Sequence, residues 1–315
     1  RVECAAPEFD ETCTPSVGYC DDGTRFVPVK LVDVAGLIPG AHQGKGLGNQ
    51  FLSDLNETDV LVHVVDFSGK TDSKGEATEG HDPREDIDFL EDELDMWYLE
   101  ILEKGIERFE TKYHGADAAI EADLAEQMSA FRISEDEIKG VILSLGLDLD
   151  PGTWDDADRE SLAREIRKRT KPIVIAANKI DDPDAAGNFA KIAADPDYDH
   201  LTFVPASAHA EKALKAADEA GTVDYRPGDD DFDVVGDPSE EQAAGLEQIR
   251  DLLAEYGGTG VQSSLEAALF DALDLIAVFP GSDDGSTSEN GSFRDCFLLP
   301  DGSTTEDFAN HIHTD

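Results

Sequence analysis

A strand-like run that ends in a carboxylate and opens into a glycine-rich loop constrains this chain more than any other stretch: Leu31-Val-Asp-Val-Ala-Gly-Leu-Ile-Pro-Gly-Ala-His-Gln-Gly-Lys-Gly-Leu-Gly-Asn49. The apolar residues from Phe26 to Val32 predict a buried strand. In an α/β sheet ligands sit at the carboxyl ends of the strands, which is where Asp33 falls. A carboxylate there can hold Mg²⁺, directly or through water, because Mg²⁺ is a hard ion that keeps several waters. Gly36, three residues on, lets a backbone N–H approach a phosphate oxygen. On its own Asp-x-x-Gly is equally a strand-to-loop turn, since two fixed residues in four arise often by chance.

Two later strand ends sharpen this reading. Ile173 to Ala177 predicts a buried strand that runs into Asn178-Lys179-Ile180-Asp181. The Asp181 carboxylate can accept hydrogen bonds from the N1–H and N2–H₂ edge of guanine, a donor pair that adenine lacks. Asn178 can contact the base N7 and tie neighbouring loops together, and the stem of Lys179 can lie along the ring face. A further short strand in Leu201-Thr-Phe-Val-Pro-Ala ends in Ser207-Ala208, small residues that let backbone N–H groups reach the base carbonyl O6. Val60 to Asp66 reads as another buried strand, apolar enough for a parallel sheet covered on both faces, with His63 as a packed core histidine.

Between these strands the pattern turns helical. A helix starts near Pro83, with Ile87, Leu90, Leu94, Trp97, Ile101 and Leu102 at three- and four-residue spacing. Helices are predicted over 116–131, over 134–146 behind the capping box Ser134-x-x-Glu137, and over 158–170. Residues 84–170 thus form an all-helical insert between two strands, without a catalytic cluster, suited to contact with a partner or with the core domain. Further helices are expected over 209–220, from Ser239-x-x-Gln242 to Tyr256, and from Val261 to Leu275. Strands follow from Ile276 to Pro280 and from Phe293 to Leu299, and Ser303-x-x-Glu306 opens a last helix.

Composition narrows the partners. Acidic residues number 71 against 25 basic, a net charge of −46 spread over every segment. Self-repulsion on that scale suits molar salt, where charges are screened within about 3 Å, and predicts a salt-adapted protein. The basic footprint of a nucleic-acid coat is missing, so DNA is not an expected partner. No run of about 18 apolar residues exists for a membrane span, and the amino end shows no basic-then-apolar leader, so a cytoplasmic location is expected. Cys4, Cys13 and Cys20 lie close in sequence and Cys296 far away. The first three could ligate zinc with a fourth ligand from elsewhere, although their spacings do not match paired Cys-x-x-Cys knuckles; the alternative is reduced loop thiols.

The run from Asp33 to Leu52 resembles the switch II segment of the YchF/Obg-like family of translation-factor-class GTPases, and Asn178-Lys-Ile-Asp181 and Ser207-Ala208 match that family's base-recognition motifs. The helical insert, and Phe297-Leu-Leu-Pro-Asp-Gly-Ser-Thr opening a C-terminal TGS domain (a ubiquitin-like β-grasp), are similar to the archaeal branch, and the acidic composition points to a halophile. The resemblance implies a P-loop NTPase-type, Ras-like α/β G domain that binds GTP with Mg²⁺, hydrolyses GTP to GDP and phosphate, and works on ribosomes or ribosomal RNA. Asp33 would hold Mg²⁺ through water, and Gly36, Asn178, Lys179, Asp181, Ser207 and Ala208 would contact the nucleotide. Leu37 sits where Ras-like enzymes carry a water-orienting glutamine, and His42 is the family's candidate for that task. The family's Gly-x-x-x-x-Gly-Lys-Ser/Thr loop and switch I threonine would precede Arg1, and the TGS domain stops early. Residues 1–315 are therefore expected to be an internal fragment, inactive alone, with G-domain parts at 1–83 and 171–275, the insert at 84–170 and a partial TGS domain at 276–315. A non-hydrolysing nucleotide-binding scaffold and an ATPase with relaxed base choice are the rival readings.

Overall fold

The computed structural model describes residues 1–10, 12–34, 51, 54–112, 120–280 and 292–313. The chain divides into two compact units, Arg1–Leu31 with Leu265–Asp315, and Val32–Ser264. The first residues thus group with the carboxyl-terminal segment, not with the strands that follow them, so the compact units are drawn differently from a G-domain part at 1–83.

At the amino end the strands are short: β1 (Val2–Glu3), β2 (Thr12–Cys13), β3 (Tyr19–Asp21) and β4 (Thr24–Phe26). A two-residue turn joins β3 to β4. Asp22 and Gly23 both have positive φ, 41° and 78°, which matches the right-handed twist of the hairpin. Tyr19 stacks on Phe26 across the pair with centroids 4.3 Å apart, and β1 adds on the far side of β4. The strand expected over Phe26 to Val32 is not formed. β4 stops at Phe26, residues 27–34 join no ladder, and Leu31 is 69% exposed. Pro28 explains part of this: it has no amide to donate, and proline in a run demotes it from a central strand.

In the unit Val32–Ser264, β5 (Leu61–Asp66), β6 (Ile173–Asn178) and β7 (Thr202–Pro205) form a parallel sheet in the order β5-β6-β7. Ile173 to Ala177 are all buried, as a central strand with apolar residues on both faces requires. β5 departs from the expected double cover. Val64 is 61% exposed, and among the described residues β5 pairs only with β6.

The crossover from β5 to β6 is long and helical: α1 (Pro83–Lys112), α2 (Ile120–Gln127), α3 (Glu135–Ser144) and α4 (Asp156–Thr170). Ile87, Leu94, Tyr98, Leu102 and Ile106 of α1 are at most 1% exposed. Each such side chain contributes roughly 1.5–3 kcal/mol through burial. Ser134 and Glu137 cap α3 reciprocally, and Asp155 and Asp158 do the same for α4. Arg167 of α4 is 1% exposed and bridges Glu91 at 2.6 Å and Asp95 at 2.8 Å on α1. Its desolvation is offset only while both carboxylates remain. Trp97 is buried edge-on against Phe131, a core residue as its spacing implied.

His63 of β5 has a buried Nδ1 without a hydrogen-bond partner. Burial lowers its pKa from 6.5 to about 4, against the pull of Asp86 and Glu91. The unfolded chain therefore binds a proton that the folded chain refuses, so stability falls as pH drops from 6.5 towards 4. His63→Gln removes that dependence, and the wild type is expected to lose up to about 3 kcal/mol more than the variant over this range. Parallel pH–stability curves for the two proteins would contradict this.

After β6 come α5 (Pro183–Ile192) and, beyond β7, α6 (Ala208–Glu219). The small hairpin of β8 (Val223–Asp224) and β9 (Asp233–Val234) leads to α7 (Glu240–Tyr256), which Ser239 and Gln242 cap as expected and Gly257 ends in the left-handed conformation. The helix predicted from Val261 to Leu275 is divided: α8 (Val261–Glu266) passes into π-helical winding over Ala267–Ala272.

The carboxyl-terminal segment holds β10 (Leu275–Val278), β11 (Ser292–Phe293), β12 (Phe297–Pro300) and α9 (Thr305–His313). β10 pairs antiparallel with β12, and β11 pairs parallel with β2, setting Ser292 opposite Thr12 and Phe293 opposite Cys13. The single strand expected over 293–299 is thus two strands with different partners. The cap of α9 is also shifted by one residue. Thr304 and Asp307 bond reciprocally, while the Ser303 hydroxyl donates to the Pro300 carbonyl.

Among the described residues no helix is long and apolar enough to cross a membrane. With a net charge of −46, the melting temperature is expected to rise from low salt to molar KCl as carboxylate repulsion is screened. A flat or falling temperature over that range would contradict salt adaptation.

Candidate functional site at the carboxyl ends of the strands

The parallel register brings the polar ends of β5, β6 and β7 together: Asp66 pairs with Asn178, and Ala177 with Pro205. Asn178 ties two of these ends to each other. Its Oδ1 accepts from the Ala208 amide at 3.1 Å, while the Ile180 amide donates to the Ala206 carbonyl at 3.0 Å. The Asn178 carbonyl accepts from the Phe67 amide at 3.1 Å and joins β5 as well.

Lys179 adopts φ 65°, the left-handed region that side chains other than glycine rarely occupy. Its Nζ donates to Asp66 Oδ2 at 2.8 Å. Asp66 was passed over in the sequence, where it reads only as the end of an apolar run. It is the anchor of this corner. Burial would raise its pKa, but hydrogen bonds from Lys179, from the Ser68 and Thr71 hydroxyls and from the Ser68 amide outweigh burial and hold it at about 2. A permanently ionised Asp66 fixes the ammonium end of Lys179, and the stem of that side chain is left partly exposed.

Asp181 is exposed and, among the described residues, has neither a hydrogen-bond donor nor an ion-pair partner. It lines one end of a groove of 810 Å³ with Ser207 and His209, and the groove continues between α6 and α7. Its neighbour Asp182 is engaged instead, capping α5 and pairing with Lys70. Ser207 is fully buried, and its hydroxyl caps α6 by accepting from the Ala210 amide at 3.0 Å. The Ala208 amide, expected to be open for a base carbonyl, is taken by Asn178. The His209 amide is the first-turn donor without a partner among the described residues.

Residues behind the Ser207 loop hold it in place. The Ser207 amide donates to the Thr259 carbonyl at 2.8 Å. The Thr259 hydroxyl donates to buried Glu211 at 2.6 Å, and the Tyr225 hydroxyl to the same carboxylate at 2.8 Å. Gly260, at φ +79°, lies against the end of β7, where an added Cβ would sit 1.9 Å from the Pro205 carbonyl oxygen and 2.7 Å from the Ala206 Cα. Gly260→Ala is therefore expected to destabilise the protein by at least about 2 kcal/mol, lowering Tm by about 4 °C or more. An unchanged Tm would show that the loop yields without cost.

Asp33 is exposed, and Val34 beside it packs on the main core. One carboxylate with no second acidic ligand in its motif is a donor set that suits Mg²⁺, which takes one or two carboxylates and completes its shell with phosphate oxygens and water. Gly36, Leu37 and His42 lie outside the described residues.

Comparison with known proteins adds two family matches. Residues 176–283 match the Obg-like GTPase YGR210-like, G4 motif-containing domain, and residues 8–101 match the 50S ribosome-binding GTPase family. A GTP-binding protein of Methanocaldococcus jannaschii is 40% identical over 316 residues, covering 99% of this chain and 79% of the relative. The chain belongs to the Obg-like GTPase family. A GTP-binding protein of Schizosaccharomyces pombe is 37% identical and covers 96% of the chain and 77% of its own length. The crystal structure of a GTP-binding protein from Pyrococcus horikoshii aligns with a TM-score of 0.76 at 32% identity, over all of this chain and 81% of that one. The Obg-like fold is that of a P-loop GTPase G domain, α/β with a parallel sheet, as the strand-end motifs implied. The first family match begins after the helical crossover, at the end of β6, and covers β7 and the loop at Gly260, which build the corner around Asp181.

Proposed function

We propose that this Obg-like protein binds GTP, with Mg²⁺, through the ends of β5, β6 and β7, and hydrolyses it to GDP and phosphate as a regulatory switch on the ribosome. The observation that carries this is the Asp181 carboxylate. It stands unpaired at the end of β6, beside a loop that Asn178, Thr259 and Gly260 hold in place. Two acceptor oxygens there match the N1–H and N2–H₂ donors of guanine, and the His209 amide at the start of α6 supplies a donor for O6. Lys179, anchored by Asp66, leaves its stem to lie along the base. Asp33 and Gly36 would serve the phosphate side, Asp33 as a ligand to Mg²⁺, which when bound neutralises charge on the phosphate oxygens. No Gly-x-x-x-x-Gly-Lys-Ser/Thr run occurs in residues 1–315, and this reading calls for one to cradle the β- and γ-phosphates. The ribosomal role rests on the 50S ribosome-binding family match and on a relative from Haemophilus influenzae described as a ribosome-binding ATPase, 36% identical over 126 residues.

The test is single-turnover hydrolysis by the full-length protein. GTP should be converted to GDP at a rate well above the buffer background. Tight binding without any conversion would leave a scaffold in place of an enzyme.

A further inference from the structure

The unit formed by Arg1–Leu31 and Leu265–Asp315 has little apolar core of its own around its first strands. The buried cluster there is Cys4 and Ala6, with Ala5, Cys13, Cys20 and Phe279 packed partly against it. Strands of two or three residues and so small a core rarely hold a fold together, and small units of this kind are usually stapled by a metal or by disulfides.

Three thiols converge at this place. The Sγ atoms of Cys4, Cys13 and Cys20 all lie within 4.8 Å of one another, although eight and six residues separate them in sequence. Four sulfurs about a zinc ion at about 2.3 Å stand roughly 3.8 Å apart, so closing the observed triangle onto an ion takes about 1 Å, within reach of side-chain rotation. The parallel pairing of β11 with β2 sets Phe293 opposite Cys13, and Cys296 follows three residues later in the chain.

A second observation points to an anionic centre. Arg25 is 3% exposed, and among the described residues no carboxylate pairs with it. Its guanidinium donates to Cys13 Sγ at 3.5 Å and to the carbonyls of Val17 and Arg294 at 3.3 and 2.9 Å, while its buried Nε has no partner. A buried cation without a counter-charge is costly. Thiolates around a divalent ion carry net negative charge, which a neighbouring guanidinium would offset.

We propose that Cys4, Cys13 and Cys20 bind a structural metal ion of the zinc class, that Cys296 closes its fourth position, and that Arg25 balances the thiolate charge. A soft, all-sulfur tetrahedral set selects zinc over the hard Mg²⁺ of the nucleotide site. The ion would join the amino-terminal strands to the segment after β11, links that the small core alone does not secure.

The test uses residues 1–315 as they stand. Elemental analysis of protein purified without chelator should find one zinc ion per chain. Co²⁺ added to the metal-free chain should give the intense visible absorption of a tetrahedral thiolate site. Cys20→Ser should weaken Co²⁺ binding by more than the about 10–100-fold typical of losing an outer partner, and Arg25→Gln should weaken it within that range. Cys296→Ser should shift the Co²⁺ spectrum; an unchanged spectrum would overturn the assignment of the fourth ligand. If a variant fails to fold, the wild type still decides. Thiols protected from a thiol reagent until a chelator is added support the site. Absence of metal with all thiols reactive, or a disulfide between any two of them, would overturn it.

Discussion

Asp181→Asn in the full-length protein is expected to lower GTP affinity by roughly 10²–10³ and to raise affinity for xanthosine triphosphate. The wild-type carboxylate offers two acceptors to the two donors of the guanine edge, and hydrogen bonds to a charged group contribute about 1.5–3 kcal/mol each. Asparagine keeps one acceptor and turns the other position into a donor, which faces the N2–H₂ of guanine donor to donor. Xanthine carries an oxygen at that place, so the same amide donates to it. Because Asp181 is exposed and unpaired among the described residues, the substitution breaks no internal bond, and Tm should stay near that of the wild type. Equal affinity of the variant and wild type for GTP would mean that the base is read elsewhere.

His42→Ala carries the other large effect. Leu37 cannot orient water, so the loop must supply a polar group from another position, and His42 stands between Gly40 and Gly44, whose backbone freedom lets the loop order around a γ-phosphate. A neutral imidazole can accept a hydrogen bond from the attacking water. Removing such a group typically costs about 10²–10⁴ in rate, so kcat should fall by that factor. GTP affinity should hardly move, because the contact would be made in the transition state. Wild-type turnover in the variant would make His42 an ordinary loop residue, and joint loss of binding and turnover would make it structural.

The parts of this molecule that were legible in its sequence are those whose physics is local. Asn178-Lys-x-Asp181 follows an unbroken apolar run, and the structure sets it at the end of a buried parallel strand as that run requires. The boxes at Ser134 and Ser239 reveal their helices because the cap and its partner are three residues apart. At the last helix two such pairs overlap, Ser303 with Glu306 and Thr304 with Asp307, and nothing local chooses between them. Long-range features were not legible. Asp66 acquires its role only when the parallel register brings Lys179 beside it. The need for glycine at position 260 depends on a backbone 55 residues earlier, at Pro205. The pairing of Ser292 with Thr12 has no sequence signature because two-residue strands carry no periodicity. The apolar run before Asp33 misled for the opposite reason: apolar character marks a candidate strand, but Pro28 and the lack of a ladder partner among the described residues decide against it.

Competition between GTP and ATP for the wild-type full-length protein tests the role of Asp181 most directly. A base read by that carboxylate should give GTP at least about a tenfold advantage, or about 1.4 kcal/mol. Asp181→Ala should remove most of that advantage. Equal affinity for the two nucleotides in the wild type would contradict guanine recognition at the end of β6.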